Sequence, residues 1–78
     1  MYRYTLYVSE RKDPDNGKRT VYGIAVHEAG EQIAVIPDID TDPDRLQRLV
    51  DLCNRRQLSP THLKDVAEDY ITEKHSGF

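Results

Sequence analysis

Two helix starts are written into the C-terminal half of this chain, and they divide everything else. At Asp42-Pro43 and Ser59-Pro60 a side chain able to cap a helix stands directly before a proline, whose missing N–H costs nothing in a first helical turn. After Asp42, the residues Leu46, Leu49, Val50 and Cys53 recur at the spacing of one apolar helical stripe. That helix is expected to end near Arg55 or Arg56, where positive charge suits the negative end of the macrodipole. With Ser59 as the second cap, Leu58 and Leu63 have the spacing of a hydrophobic staple, and Leu63, Val66, Ala67, Tyr70 and Ile71 continue a buried stripe. Residues 42–73 thus read as a helical hairpin with a short joint that favours antiparallel neighbours, and residues 74–78 as a frayed tail.

Residues 2–37 read as strand and turn. Tyr2, Tyr4, Leu6 and Val8 alternate with Arg3, Thr5, Tyr7 and Ser9, the period-two pattern of a strand with one buried face. A second strand over 20–27 carries its bulk at Tyr22, Ile24 and Val26, and a third over 32–36 has Ile33 and Val35 on one side, Ala34 and Ile36 on the other. Taking Ala29-Gly30 as a two-residue loop pairs Glu28 with Glu31, Val26 with Ile33 and Ile24 with Val35, which sets bulk against bulk. Asn16-Gly17 is the strongest local hairpin signal, but a tight turn there would pair Val8 with Ala25. Pro14 cannot donate to a ladder, so a longer polar loop from about Arg11 to Lys18 is preferred. The expected fold is α+β: a three-stranded antiparallel meander followed by two helices packed on one face, βββαα, in a single domain spanning 1–78.

Composition narrows the class of molecule. The 78 residues are 37% hydrophobic and 32% charged, too apolar for a disordered chain and too polar for a membrane span. A formal net charge of −3 provides no global field toward nucleic acid or an anionic bilayer. The single cysteine, Cys53, excludes an internal disulfide and a multi-cysteine zinc site. No apolar segment reaches the length of a signal peptide, and a cytoplasmic protein is expected.

The order of segments YTLYVSE, VYGIAV, DIDTD and LVDLCNRRQLSPTHLKDVAEDYI resembles a family of small proteins of unknown function from Gram-positive anaerobes. The resemblance spans nearly the whole chain, with Leu49 to Ile71 its most specific part. It implies a compact, stand-alone cytosolic domain and brings no catalytic residue or activity with it.

Read for chemistry, the motifs fall short of a reaction. The alternating run Asp38, Asp40, Asp42, Asp44 has Pro43 and Leu49 where a calcium loop needs glycine and glutamate, and acids gather naturally at a helix start. Asp13-Pro14-Asp15-Asn16-Gly17 is a run of turn formers. His27-Glu28 begins like a zinc-protease motif, but Glu31 stands where the second histidine belongs. His62 and His75 have no partner at a ligand spacing, and Cys53 falls inside an apolar stripe that disfavours a thiolate. Neither enzymatic activity, nor a metal, nor a cofactor is expected.

Two binding surfaces are left to weigh. The second helix could serve a helix-turn-helix, with Arg55, Arg56 and Lys64 as its cations, but Asp65, Glu68, Asp69 and Glu73 would repel phosphates. Arg11, Lys12, Lys18 and Arg19 bracket the first loop and offer a weaker RNA contact as the alternative function. With the helices on the Tyr4, Leu6, Ile24, Val35 side, the other face would show Tyr7, Val21, Gly23, Ala25, Ala34 and Ile36, rimmed by Arg3, Thr5 and Ser9. Such an apolar strip suits self-association or a protein partner, through the open face or a sheet edge. The plainer reading is an aromatic ring shielding a strand glycine.

Overall fold

The computed structural model describes residues 1–15 and 17–76, the side chains of 74–76 excepted. Three strands, β1 (Tyr2–Asp13), β2 (Gly17–Glu28) and β3 (Glu31–Asp40), form an antiparallel sheet in the order β1-β2-β3. Two helices follow, α1 (Pro43–Arg56) and α2 (Leu63–Ser76), the second entered through a single 3-10 turn over Pro60–His62. The arrangement is α+β, βββαα. Both helices feed one apolar cluster in which Leu46, Val50, Cys53, Leu63 and Ala67 meet Tyr4, Ile24, Val26 and Ile39. Ile24 is fully enclosed at its centre. The smallest extent of the molecule, 19 Å, is that of one sheet plus one layer of helices.

The β1–β2 register pairs Leu6 with Ile24, Tyr4 with Val26 and Val8 with Tyr22 without interruption. Large residues match as the period-two pattern requires. The strands run further than expected, however, to the pair Asp13–Gly17. The connection is therefore short rather than a loop from Arg11 to Lys18. Asp13 closes it by accepting the Asp15 N–H at 2.9 Å, and Gly17 takes the positive φ of 81° that a side chain would resist. Asn16, half of the hairpin signal, lies outside the described residues.

The β2–β3 hairpin turns at Ala29-Gly30 as expected, both residues with positive φ as a type I′ turn requires, and Glu28 faces Glu31. Beyond that the expected register fails. An extra residue, Ile33, is bulged out between the pairs His27–Gln32 and Val26–Ala34. From there on every β3 side chain changes face. Ala34 and Ile36 pack against the core, and Val35 pairs with Ala25 on the far side. A second irregularity spans Pro37 to Ile39, where proline cannot donate to a ladder. Here the β3 backbone rides over Gly23: a Cβ at that position would lie 2.1 Å from the Ile36 carbonyl oxygen. Only glycine fits. The detour carries β3 on to Asp40 and buries Ile39, a core residue beyond the expected strand end.

The helix caps divide. Asp42 caps α1 as expected, its Oδ1 accepting the N–H groups of Asp44 at 3.1 Å and Arg45 at 3.2 Å. Ser59 makes no side-chain cap bond; its hydroxyl lies 3.0 Å from that of Thr61, and its carbonyl accepts from His62 N–H to form the 3-10 turn. Leu58 and Leu63 both join the core, so the staple fixes the entry without the cap. α2 continues to Ser76, past the boundary expected at residue 73, and the last two residues of the tail lie outside the described residues.

Candidate interaction edge

An edge strand exposes a row of backbone donors and acceptors that folded proteins usually protect. β1 is such a strand, and its protection stops halfway along. Asn54, on the last turn of α1, clamps Tyr4 at both backbone groups: Tyr4 N–H donates to Asn54 Oδ1 at 2.7 Å, and Asn54 Nδ2 donates to the Tyr4 carbonyl at 2.8 Å. Gln57 does the same for Tyr2, with both bonds at 2.9 Å. A primary amide carries one acceptor and a donor pair, so each side chain takes the place of a peptide group on a neighbouring strand.

Local geometry puts those amides in position. α1 closes with the Leu58 N–H bonded to the Cys53 carbonyl and the Gln57 N–H to the Asn54 carbonyl, the double closure of a Schellman motif. The motif needs a left-handed residue, and Gln57 supplies it at φ 49°, although a residue with a Cβ is strained there by about 1–2 kcal/mol. In exchange its side chain reaches back to Tyr2 and to the Asn54 carbonyl at 3.0 Å. The Tyr4 hydroxyl completes the joint by donating to the Leu58 carbonyl. Burial, reinforced by the neighbouring Cys53, pushes that phenol up to about 12. Met1, Tyr2, Arg3, Thr5, His27, Gly30, Asn54 and Gln57 line an open cleft beside the clamp.

Past Tyr4 the clamp ends. In an uninterrupted antiparallel ladder, alternate residues turn both backbone groups outward, so the parity set by Tyr2 and Tyr4 makes Leu6, Val8, Glu10 and Lys12 the outward-facing residues. Among the described residues, no side chain or loop bonds to those groups. Val8, in the middle of this stretch, is 60% exposed. The opposite edge differs: β3 is broken by its bulge at Ile33 and by Pro37, two devices that discourage pairing.

The open sheet face is less apolar than the sequence promised. Of the six residues expected there, Tyr7, Val21, Gly23 and Ala25 share it, while the Ile33 bulge puts Ala34 and Ile36 on the core side. Ala25 is only 2% exposed and Val21 and Gly23 are buried, because small side chains on the central strand sit between the half-buried Thr5, Tyr7, Ser9 and Val35 on its flanks. Tyr7 lies directly across from Gly23, as the shielding reading requires. But it is the Ile36–Pro37 backbone that makes glycine obligatory.

The other candidates resolve into structural roles. Asp40 is 4% exposed, and its carboxylate accepts Arg45 Nε at 2.9 Å and Nη2 at 3.1 Å, Asp42 N–H at 3.1 Å and the Tyr70 hydroxyl at 2.5 Å. A buried charge so fully bonded is a knot that ties the end of β3 to both helices. Burial and then Asp40 push the Tyr70 phenol up to about 12, and the bond to Asp40 raises the already high pKa of Arg45. Cys53 is buried, and burial pushes its thiol up, away from the reactive thiolate. His27 Nε2 lies 3.3 Å from Thr5 Oγ1. Among the described residues no group of three or more His, Cys, Asp or Glu is placed to hold a metal ion, and no helix is long and apolar enough to cross a membrane. At the hairpin tip Arg11 faces Arg19 and Lys12 faces Lys18; Arg11 pairs with Asp38, and Lys18 lies 3.9 Å from Glu10.

Sequence reasoning missed Asn54 and Gln57 because amides near a helix end read as solvated polar residues. The only available signal was their place on either side of the helix end expected near Arg55 or Arg56.

A small α+β domain with a half-protected edge strand is the class these features define. Residues 1–73 match the family of unknown function DUF6514, and the chain belongs to that family. No curated protein and no solved structure matches it.

Proposed function

We propose that this chain is a non-enzymatic protein-interaction module of the cytoplasm, and that it docks a partner strand along β1 from Leu6 to Lys12. The observation that carries the reading is the abrupt end of the amide clamp after Tyr4. The fold spends two side chains capping one half of an edge and leaves the other half, with an exposed Val8, ready to pair. Main-chain bonds would supply affinity, and alternate side chains the selectivity. The open face, with its small residues already hidden, is the weaker docking surface.

Val8→Pro tests this. It removes one outward N–H, while the β1–β2 bonds, made by residues of the other parity, persist. Protein partners captured by the purified wild-type chain should be lost with Val8→Pro and kept with Val35→Lys, which alters the open face on β3, away from that edge. Equal capture by wild type and Val8→Pro would refute edge docking.

A second reading rests on the hairpin tip, where Arg11–Arg19 and Lys12–Lys18 place like charges opposite each other. Such pairs are unfavourable; Asp38 and Glu10 offset Arg11 and Lys18, and an RNA backbone would offset Lys12 and Arg19. RNA retention that weakens with salt and is lost in Lys12→Glu/Lys18→Glu would support it. Retention unchanged by that double substitution would exclude it.

A further inference from the structure

The unclamped stretch of β1 runs from Leu6 to Lys12, and its midpoint is Ser9. An antiparallel copy placed on a two-fold axis through Ser9 would therefore set Leu6 opposite Lys12 and Val8 opposite Glu10, each pair drawn from the outward-facing set. Tyr4, the first clamped residue, would fall opposite Pro14, just past the end of the partner's strand. The open length of the edge is thus the length that a second copy of the same edge can fill. Shifting the axis by one residue toward the N-terminus would set Tyr4 opposite Lys12 and run the partner into the Asn54 clamp. Shifting it one residue the other way would put Leu6 opposite Pro14 and would bring two Glu10 carboxylates face to face.

Side chains agree with that register. On the core-side face the exposed Val8 would cover the stem of the partner's Glu10, and Leu6 that of Lys12. On the other face Tyr7 would lie beside the partner's Arg11, a cation over an aromatic ring, and the two Ser9 residues would meet at the axis.

From this match between clamp and strand length we infer that the occupant of the open edge is a second copy of this chain, paired β1 to β1 about Ser9, with one sheet continuous across both copies. The inference rests on the edge-docking reading and names its partner. Each pair, Leu6–Lys12 and Val8–Glu10, would exchange two N–H···O=C bonds. Ser9 would form a non-hydrogen-bonded pair with its Cα atoms about 4.5 Å apart, inside the range that a disulfide spans.

Two variants of the full chain test it. Ser9→Cys should yield a disulfide-linked dimer on mild oxidation. Wild type, whose Cys53 is buried, and Thr5→Cys, which would face Asp13 of the other copy, should not. In sedimentation across a concentration series the wild type should pass from monomer to dimer, and Val8→Pro should weaken that dimer by on the order of tenfold or more, with helical content unchanged by circular dichroism. A wild type that stays monomeric at its highest soluble concentration, or a dimer equally strong in Val8→Pro, overturns the inference, as does a Ser9→Cys chain that stays unlinked. A monomer that still loses a captured protein on Val8→Pro overturns the second-copy inference alone and leaves edge docking standing.

Discussion

Replacing Asn54 by alanine removes the inner half of the amide clamp, and the structure sets the size of the effect. Two bonds vanish, at 2.7 and 2.8 Å, and with them the only partners of the Tyr4 N–H and carbonyl outside the ladder among the described residues. A net contribution near 1 kcal/mol per bond gives about 2 kcal/mol. Water can reach this half-buried position and recover part of that, so the expected loss is about 1–2 kcal/mol. With a urea m-value near 1 kcal/mol/M for so small a domain, the unfolding midpoint should fall by about 1–2 M. Gln47→Ala is the matched control: the same amide chemistry on the same helix, bonded at 2.9 Å to Asp51 on the surface, where such pairs contribute a few tenths of a kcal/mol. Asn is the poorer helix former of the two, so Asn54→Ala gains about a few tenths of a kcal/mol more from propensity than Gln47→Ala, and the difference between the variants is a lower bound on the clamp. Freeing Tyr4 also lengthens the open edge, so Asn54→Ala should associate more strongly than wild type in sedimentation. Equal midpoints for the two variants would refute the account of the clamp.

Gly23→Ala should cost more than about 3 kcal/mol, because its Cβ meets the Ile36 carbonyl oxygen and the Pro37 Cα rather than a side chain that can move; thermal melts that show a loss below about 1 kcal/mol would mean that the bulge yields. Asp42→Ala should lose about 1 kcal/mol and Ser59→Ala less than about 0.5 in urea unfolding, since only the first caps its helix through a side chain; equal losses would contradict the assignment. Alkali should unfold the protein in a defined window. Tyr4 and Tyr70 have folded values raised to about 12 from 10, so their stabilisation is whole below pH 10 and is lost as pH rises toward 12. The tyrosinate signals of Tyr4 and Tyr70, each assigned by its Tyr→Phe variant, should then rise together with the loss of helical signal, and either of these two phenols titrating near 10 in a still-folded chain would contradict its burial.

The layout of this fold was legible in sequence wherever a pattern was local. Alternation in residues 2–8, the Asp42-Pro43 cap, the stripe from Leu46 to Cys53 and the Ala29-Gly30 turn each gave an element its type and its face. What escaped was non-local. A run such as Gln32-Ile33-Ala34-Val35-Ile36 is apolar on both parities, so it does not say which residue will be bulged, and one inserted residue exchanged Val35 for Ala34 and Ile36 in the core. Gly23 looked like a place for an aromatic ring because nothing local announced the crossing of β3. Asp40 read as one acid among several at a helix start, yet its burial depends on Tyr70, thirty residues later. The proposed docking surface moved from the open face to the β1 edge for the same reason: the clamp joins residues whose approach only the tertiary fold creates.

That separation along the chain orders events during synthesis. Tyr4 and Asn54 are fifty residues apart, and Tyr2 and Gln57 fifty-five. On a ribosome the meander is complete at Asp40, before the amides that will guard its rim have been translated. At about 5–20 residues per second the gap lasts on the order of a second. For that interval a nascent chain shows its entire first strand bare, and neighbouring chains on one message would meet at a stage when both ends of that rim are still unguarded.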